Sequence, residues 1–467
     1  MSKKITPPSR RDFIKHLTGT TLALSLGPLA SLAQQQKAEE RIIQYQKKIT
    51  VNDRINIAVI GMGIMGNNNL NTALKVPGVQ LVAACDLYTG RLQRVKELYG
   101  DAVFTTNDYR KILARQDVDA VIIATSDQWH ARITKEALQK GKHVYCEKPM
   151  VHFISEGHGV IAAQKASKKT MQVGSQRVSS IVYAKAHELY KSGEIGKLNM
   201  VNAIYHRQSA LGAWEYTMPP DASPATVDWE RYIAGMPAMP YDAKKFFWWR
   251  NYREFGTGVA GDLFVHLLSG THVITDSKGP VSIYSTGQLC YWKDGRNVPD
   301  VMTGILNYPD TPEHSAFQLS LQVNFVSGTG GMETIRFIGD EGTIDIDGDG
   351  LTVHHSKMTV APGIGGWDAL SSYPKAMQDE LLQKYNQKYT AGQQKSDNKQ
   401  DIVFKQPKGY DEHLDHHTNF FDSVRTGKQV VENAVFGFRA AAPCLACNDS
   451  YFEKKIIGWD PENMKLT

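Results

Sequence analysis

The stretch from Arg54 to Asp86 constrains the fold more than any other part of the chain. Residues 54–60 form a short apolar and β-branched run that is typical of a buried parallel strand. This run leads directly into Gly61-Met-Gly63-Ile-Met-Gly66, a G-x-G-x-x-G pattern, and then into a helix-compatible segment. A second apolar run, residues 79–85, ends at Asp86. This order predicts a strand–turn–helix–strand unit.

The glycines and the acid of this unit fit a dinucleotide site. Gly61 allows a tight turn, Gly63 lets a pyrophosphate approach the backbone, and Gly66 lets helix and strand pack closely. The first helical turn, with Ile64 and Met65, offers unpaired N–H groups to the same pyrophosphate. Asp86 follows Gly66 by about 20 residues, where a carboxylate binds ribose hydroxyls and repels a 2′-phosphate. The pattern therefore favours NAD over NADP, and a purely structural βαβ unit remains the alternative.

Residues 1–33 have the features of an export signal. Five basic residues precede a weakly apolar stretch, and Ser9-Arg10-Arg11-Asp12-Phe13 resembles a twin-arginine motif. We expect a twin-arginine signal peptide over 1–33, a polar linker over 34–52, and a periplasmic protein that the twin-arginine export machinery carries in folded form. Because nicotinamide is scarce in the periplasm, the cofactor is expected to be tightly bound. A basic amphipathic tail is the alternative.

Charge and cysteine content exclude several classes of protein. Removal of residues 1–33 lowers the formal net charge from +5 to +1, so no nucleic-acid partner is indicated. Five scattered cysteines do not suggest a disulfide framework, and Cys444-x-x-Cys447 is predicted to lie buried in a helix. No metal site is expected. Residues 345–350 are interpreted as a strand and hairpin turn, and residues 413–417 as a polar helix face.

Strands and helices alternate as far as residue 175, which predicts a doubly wound parallel sheet, a Rossmann domain, over 53–175. In such sheets ligands bind at the carboxyl ends of the strands. Asp86, the segment Thr125–His130 and Glu147-Lys148 each follow a predicted strand. They are therefore expected to line one crevice with the glycine turn.

These motifs resemble the Gfo/Idh/MocA family of glucose–fructose oxidoreductase and inositol dehydrogenase. The resemblance also rests on Ala124–His130, Glu147-Lys148-Pro149, Val173–Gln176 and Asp262-x-x-x-His266, with Ser126 where many members have proline. It implies an α/β fold whose second domain, residues 176–467, is α+β with a large and mostly antiparallel sheet. Residues 356–408 are predicted to be a surface insertion. The second domain would carry substrate binding and oligomerisation, as a dimer or tetramer.

Hydride transfer from an alcohol requires a base for the hydroxyl proton and a donor for the developing oxygen charge. We expect His266 to act as the base in oxidation and as the acid in reduction, and Lys148 to hydrogen-bond the reacting oxygen. Asp262 is predicted at or near a helix N-cap, one turn before His266, where it would orient the imidazole. An ordinary N-cap and a core histidine are the alternatives.

The expected contacts divide between cofactor and substrate. The predicted cofactor-binding residues are Gly61, Gly63, Ile64, Met65, Gly66, Asp86, Thr125, Ser126, Trp129, His130, Glu147, Lys148 and Gln176. The predicted substrate-binding residues are Arg177, His206, Trp249, Arg250 and Tyr252, with Trp214 as a further candidate. For the aromatic residues, a place in the core or in an oligomer interface is the alternative.

The predicted function is an NAD(H)-dependent oxidoreductase that acts on a CH–OH group of a sugar, sugar derivative or polyol. A second possibility from the resemblance is a redox-neutral glycosidase similar to glycoside hydrolase family 109. The retained Asp262 and His266 favour the dehydrogenase. A non-catalytic NAD-binding protein is the third possibility, and the intact set of Lys148, Asp262 and His266 argues against it.

Overall fold

The computed structural model describes residues 53–467, which form two sheets that meet at one cleft. The predicted signal peptide and linker therefore lie outside the described residues. Within the described part of the chain, no helix has the length and apolar character needed to cross a membrane.

The first sheet has six parallel strands in the order β3-β2-β1-β4-β5-β6. They are β1 (Ile55–Ile60), β2 (Val79–Cys85), β3 (Phe104–Thr106), β4 (Ala120–Ile123), β5 (His143–Glu147) and β6 (Met171–Gly174). The helices between them are α1 (Ile64–Ala73), α2 (Thr89–Tyr99), α3 (Tyr109–Leu113), α4 (His130–Gln139) and α5 (Gly157–Ser167). Every residue of β4 is buried, as expected for a strand covered by helices on both faces. The predicted doubly wound sheet is confirmed.

The second sheet has ten strands in the order β14-β13-β12-β11-β7-β10-β9-β8-β15-β16. They are β7 (Leu198–His206), β8 (Ser282–Gln288), β9 (Val301–Tyr308), β10 (Phe317–Asn324), β11 (Met332–Gly339), β12 (Gly342–Asp347), β13 (Gly350–His355), β14 (Ile402–Lys405), β15 (Ile457–Asp460) and β16 (Lys465–Leu466). Only β7 and β10 pair in parallel; the other neighbours are antiparallel. The predicted α+β second domain is confirmed.

The remaining helices surround the second sheet and the cleft. They are α6 (Ile181–Lys191), α7 (Trp229–Tyr232), α8 (Ala243–Phe247), α9 (Val265–Thr275), α10 (Lys375–Lys388), α11 (Glu412–Thr426) and α12 (Ala434–Glu453). Helices α6, α9 and α12 pack together on one face of the sheet. Cys444 and Cys447 are buried in α12, which confirms their predicted location.

The predicted insertion over 356–408 is wrong at its C-terminal end. Residues 402–405 form the edge strand β14, in which Ile402 pairs with Val353 of β13. No residue of α10 is buried, so this helix does lie on the surface. The apolar and polar residues of 402–405 are too few to distinguish an edge strand from a loop by pattern alone.

The end of the chain closes the open edge of the first sheet. Val173 lies on edge strand β6; its N–H donates to the Glu432 carbonyl at 2.9 Å, and its carbonyl lies 2.8 Å from His416 Nε2. Gln172 Nε2 donates to the His416 carbonyl at 2.7 Å. An uncovered strand edge is a site for aggregation. Helix α11 and the segment after it thus protect the first sheet, although they belong to the second domain in sequence.

The predicted polar helix face at 413–417 is wrong for two of its histidines. His416 and His417 are fully buried, and His417 stacks on Tyr145 with ring centroids 4.6 Å apart. Burial lowers the pKa of His416 to about 3 and that of His417 to about 4, so both rings are neutral core residues. Among the described residues, no group of three or more His, Cys, Asp or Glu is placed to bind a metal ion.

Candidate active site

A single cleft runs along the carboxyl ends of β1, β4 and β5 and beneath a segment of the second domain. Its empty volume is about 1190 Å³, open mouth included. Most of the predicted site residues line it, namely Gly61, Gly63, Ile64, Met65, Asp86, Thr125, Ser126, Trp129, His130, Glu147, Lys148, Trp249 and Arg250. The fold therefore brings the glycine turn and both strand-end motifs to one surface.

The three glycines have different surroundings in the turn. Gly61 has φ +95°, and a Cβ there would lie 2.5 Å from the Ala124 carbonyl oxygen. A Cβ on Gly66 would lie 1.8 Å from the Gly61 carbonyl oxygen, so close packing requires glycine at both positions. A Cβ on Gly63 would meet only the Arg91 guanidinium, at 3.7 Å. The space beside Gly63 is thus open to the cleft.

The open space lies at the N-terminus of α1. Gly63 is the N-cap of this helix, and no side chain caps it. The free N–H groups of the first turn and the helix dipole suit a phosphate group. The glycine turn therefore fits the pyrophosphate of a dinucleotide, with Gly61, Gly63, Ile64 and Met65 around it.

Asp86 ends β2 at the far side of this turn. Its Oδ2 accepts a hydrogen bond from the Met62 N–H at 2.7 Å, and its Oδ1 accepts one from the Tyr88 N–H at 2.9 Å. Arg91 Nη1 lies 3.3 Å from Asp86 Oδ2. Sequence reasoning missed Arg91, although its place in the first turn of the helix after Asp86 was a usable signal.

The segment after β4 is fixed to the segment after β5. His130 Nδ1 lies 2.7 Å from the Pro149 carbonyl oxygen, and its Nε2 lies 3.2 Å from the Thr125 carbonyl oxygen. The peptide bond between Lys148 and Pro149 is cis. His130 therefore holds together the two loops that supply Thr125 and Lys148 to the cleft.

Glu147 and Gln176 form a buried pair behind the cleft. Glu147 Oε1 accepts hydrogen bonds from Asn69 Nδ2 and Gln176 Nε2, both at 2.8 Å. Gln176 also donates to the Tyr145 hydroxyl at 3.1 Å. Gln176 is not among the residues that line the cleft, and its amide nitrogen holds Glu147, which does line it.

Lys148 and Asp262 meet across the two domains. Lys148 Nζ donates to Asp262 Oδ1 at 2.8 Å and to the Asp262 carbonyl at 2.9 Å. Arg250 Nε lies 3.1 Å from the same Oδ1 atom. Burial by itself would raise the pKa of Asp262, but Lys148 and Arg250 hold it well below its usual range. Asp262 is therefore ionised and shared by two cations.

The predicted N-cap at Asp262 is wrong. Asp262 lies inside a helix that starts at residue 258, within a π-helical turn over Ala260–Phe264 that continues into α9. A π turn holds more residues than an α turn, so residues four apart no longer lie one above the other. Asp262 accordingly bonds to Lys148 and Arg250, and no hydrogen bond joins it to His266 within residues 53–467.

His266 lies near this pair and is partly buried. Its ring centroid is 6.2 Å from that of Tyr205. Burial and the nearby charge of Lys148 hold the pKa of His266 well below its usual value. The imidazole is therefore neutral at pH 7 and can accept a proton.

Several predicted substrate residues lie outside the cleft. Arg177 pairs with Glu333 at 2.8 Å, and His206 ends β7 between β10 and β11. Tyr252 and Trp214 are buried, Trp214 against Phe325 at a centroid distance of 4.8 Å. Tyr252 and Trp214 therefore lie in the core, which is the alternative to a role in substrate binding.

A segment of the second domain covers one side of the cleft. We name residues 216–250 the strap. Of its side chains, Tyr216, Thr217, Arg231, Tyr232, Phe246, Phe247, Trp249 and Arg250 line the cleft. The sequence has one usable signal for the strap, the aromatic run 246–252, whose members Trp249 and Tyr252 are predicted to bind substrate instead.

The strap is joined to the residues that follow Asp86. The Thr89 N–H donates to the Thr226 carbonyl and the Asp228 N–H donates to the Leu87 carbonyl, both at 2.9 Å. The Tyr88 hydroxyl donates to Asp221 Oδ1 at 2.6 Å, and the Tyr88 ring packs edge-on against Phe247. The cleft is therefore closed over on the side of Asp86.

Comparison with known proteins assigns the first domain. Residues 55–175 match the family described as "Oxidoreductase family, NAD-binding Rossmann fold" (GFO_IDH_MocA). This part of the chain is thus similar to the NAD-binding Rossmann domain of that oxidoreductase family.

Two curated relatives are similar over the same region. Inositol 2-dehydrogenase of Salmonella typhimurium is 34% identical over 167 residues, which cover 35% of this chain and 49% of the relative. A glycosyl hydrolase family 109 protein of Shewanella baltica is 31% identical over 180 residues, which cover 35% of this chain and 39% of the relative. The matched region thus spans at most about half the length of these relatives.

The fold extends the likeness over both domains. The structure of levoglucosan dehydrogenase in complex with NADH and levoglucosan has a TM-score of 0.61 and 18% identity to this chain. The match covers 87% of this chain and 99% of that one. At this identity the match shows the shared fold.

We predict that alanine impairs dinucleotide binding at one glycine of the turn and thermal stability at another. Gly63→Ala should fold normally, because its Cβ makes only ordinary contact with the end of the Arg91 side chain and φ is −74°, but it should lose dinucleotide affinity. Gly66→Ala should lower the thermal midpoint, because its Cβ would overlap a backbone oxygen. Circular dichroism melts and NADH titration by fluorescence measure the two effects. Equal NADH affinity for Gly63→Ala and the unaltered protein would contradict the assignment of the pyrophosphate site.

Proposed function

We propose that this protein is an NAD(H)-dependent oxidoreductase that acts on a CH–OH group of a sugar, sugar derivative or polyol. We propose further that it keeps its cofactor tightly bound and works in the periplasm. The observation that carries the proposal is the contact of Lys148, which lines the cleft together with the glycine turn, with Asp262. Asp262 and His266 lie behind Lys148 and are not among the residues that line the cleft. An ammonium donor and a neutral imidazole are the two groups that the chemistry requires.

The chain's own residues supply the proton chemistry and the positioning. A nicotinamide bound in the cleft would supply the hydride acceptor and donor. His266 accepts the hydroxyl proton of the substrate in oxidation and returns it in reduction. Lys148 donates a hydrogen bond to the same oxygen as negative charge develops there. Asp262 holds the Lys148 ammonium in place, as their 2.8 Å contact indicates.

The strap supports tight retention of the cofactor. Its aromatic residues Tyr232, Phe246 and Phe247 line the cleft together with Asp86 and Arg91. Two backbone hydrogen bonds and the Tyr88–Asp221 contact join it to the first domain. A dinucleotide whose ribose lies at Asp86 can leave only if these contacts open. Retention of the cofactor also suits export of the folded, loaded protein, which is the role proposed for Arg10 and Arg11.

NAD is the proposed dinucleotide because Asp86 carries the negative charge at the ribose position. Arg91 pairs with Asp86 at 3.3 Å and also lies over the Phe247 ring, with 5.6 Å from its guanidinium carbon to the centroid. As long as Asp86 engages it, Arg91 is not free to bind a 2′-phosphate.

The open face of the second sheet supports assembly into a homo-oligomer. The exposed residues Met200, Tyr284, Ile305 and Met332 belong to β7, β8, β9 and β11. The strand register puts them all on the face opposite the helices. Apolar side chains grouped on one exposed face favour burial against another protein surface.

The similarity to a glycosyl hydrolase family 109 protein makes a redox-neutral glycosidase the second candidate function. A redox-neutral glycosidase would use the same dinucleotide domain but would release an aglycone without net formation of NADH. A transient oxidation by such a glycosidase would use the same donor and base, so the dehydrogenase is preferred on the Asp262-x-x-x-His266 pattern.

We predict that the His266→Ala protein keeps its bound dinucleotide. Sugar should reduce this dinucleotide about 10²- to 10⁴-fold more slowly, since one general base is removed. In the unaltered protein, the acid limb of kcat/KM for oxidation should lie below pH 6.5, because the pKa of His266 is lowered and the neutral ring is the active form. Stopped-flow absorbance of the reduced cofactor measures both effects. Sustained aglycone release from an aryl glycoside at constant absorbance would instead establish the glycosidase.

We predict that Tyr88→Phe releases the cofactor faster, by up to about tenfold, because it removes one hydrogen bond to the Asp221 carboxylate but keeps the ring contact. The amount of dinucleotide that remains after extended dialysis, released by denaturation and assayed, measures this. Tyr99→Phe is the matched control, since its hydroxyl bonds to Asn71 outside the cleft. Rapid loss of cofactor from the unaltered protein would refute retention by the strap.

We predict that Asp86→Ser weakens NAD binding and strengthens NADP binding, because it frees Arg91 to pair with a 2′-phosphate. In the double variant Asp86→Ser with Arg91→Gln, the gain for NADP should disappear. Isothermal titration of apoprotein with each dinucleotide gives the ratio of the two Kd values. A lower Kd for NADP than for NAD in the unaltered protein would show that the proposed preference is wrong.

A further inference from the structure

Arg250 lies at the end of the cleft where Lys148 and Asp262 meet. Its Nε is 3.1 Å from Asp262 Oδ1, and its guanidinium carbon is 4.2 Å from the centroid of the Trp249 ring. One edge of the guanidinium is thus fixed by the carboxylate and one face by the indole. Such a side chain has little freedom left to lose when it binds a ligand.

The other two nitrogens of Arg250 are available. Within residues 53–467, neither Nη1 nor Nη2 has a hydrogen-bond partner, and 19% of the side-chain surface remains accessible. Arg250 lines the cleft. Two N–H groups in a fixed fork match the two oxygens of a carboxylate.

The charges around Arg250 are not balanced by the protein. Lys148 and Arg250 share a single carboxylate, Asp262, through the same oxygen. Arg207 adds a further positive charge that acts on Asp262 and His266. This end of the cleft therefore has an excess of positive charge.

The other acids that line the cleft make their hydrogen bonds elsewhere, although the negative charge of Asp127 also acts on Arg250. Asp127 Oδ2 accepts from the Thr257 N–H at 2.9 Å and from the Thr257 hydroxyl at 2.7 Å. Glu147 is held by Asn69 and Gln176, and Asp86 lies at the glycine turn. Neither Asp127 nor Glu147 is hydrogen-bonded to Arg250 in the described chain.

We propose that the substrate is an acidic sugar, a uronic or aldonic acid, whose carboxylate binds Nη1 and Nη2 of Arg250. The inference rests on the proposed function and adds the substrate class. Lys148, Arg250 and Arg207 against Asp262 and Asp127 leave one net positive charge, which one monoanionic carboxylate neutralises. A phosphorylated sugar, with a higher charge and three terminal oxygens, fits this single fork less well.

The test uses the cofactor-loaded protein and pairs of sugars that differ in charge. D-Glucuronate is compared with D-glucose, D-galacturonate with D-galactose, and D-gluconate with D-sorbitol, with glucose 6-phosphate as the phosphate probe. Tryptophan fluorescence, which Trp249 should report, measures binding, and absorbance of the reduced cofactor measures oxidation. We expect at least one acid to bind about 10- to 100-fold more tightly than its neutral partner, which is the worth of a charged hydrogen-bonded pair. This advantage should shrink at high salt.

Three variants separate the role of Arg250 from general damage. Arg250→Gln should abolish the preference for the acid, and Arg250→Lys should keep part of it, because the charge remains but the fork is lost. Arg253→Gln is the matched control, since Arg253 is exposed, lies over Phe452 and does not line the cleft. The measured quantity is the ratio of the Kd for the acid to the Kd for its neutral partner. A loss of the Asp262 contact would not by itself change this ratio.

The outcomes distinguish this inference from the proposed function. Equal or tighter binding of the neutral sugars, tighter binding of the phosphate, or an unchanged ratio in Arg250→Gln would overturn the acidic substrate. If a neutral sugar alone reduced the cofactor, the oxidoreductase would stand and only the substrate class would fall. If a uronate bound through Arg250 but left the cofactor unchanged, the acid site would stand and the proposed reaction would fall.

Discussion

The contact between Lys148 and Asp262 is the interaction on which the rest of the site depends. It joins the end of a strand in the first sheet to a helical turn beneath the second sheet, and both side chains are almost fully buried. Burial of two charges is costly, and removal of one partner would leave the other uncompensated. The pair is therefore stable only where both sheets hold their ends of it in register.

The surrounding structure supplies that register from several directions. His130 bonds to the loop that carries Lys148, and Gln176 together with Asn69 fixes the neighbouring Glu147. On the other side, the π-helical turn presents both the carboxylate and the carbonyl of Asp262 to the same ammonium group. A regular α-helix would stack Asp262 over His266 instead, so the π turn separates the cation-binding role of one from the proton-accepting role of the other.

The sequence predicted what depends on local pattern. The strand before Gly61, the turn to Gly66 and the position of Asp86 follow from residue type and spacing within one short stretch, and the structure has them. The π turn at Asp262, the burial of His416 and His417 and the edge strand at 402–405 depend on contacts with residues far away in the chain. The strap belongs to the same class: its aromatic residues indicate burial, but only the fold shows that they cover the cleft beside Asp86.

The way the chain end covers strand β6 has a consequence for the order of biosynthesis. Val173 lies in the first domain, yet its two outward hydrogen bonds are made by His416 and Glu432, near the C-terminus. The dinucleotide fold is thus not a module that can be completed while the ribosome is still making the second domain. Its last edge is closed only after residues 416 and 432 have been synthesised, so completion of the first sheet waits for α11 and the segment after it.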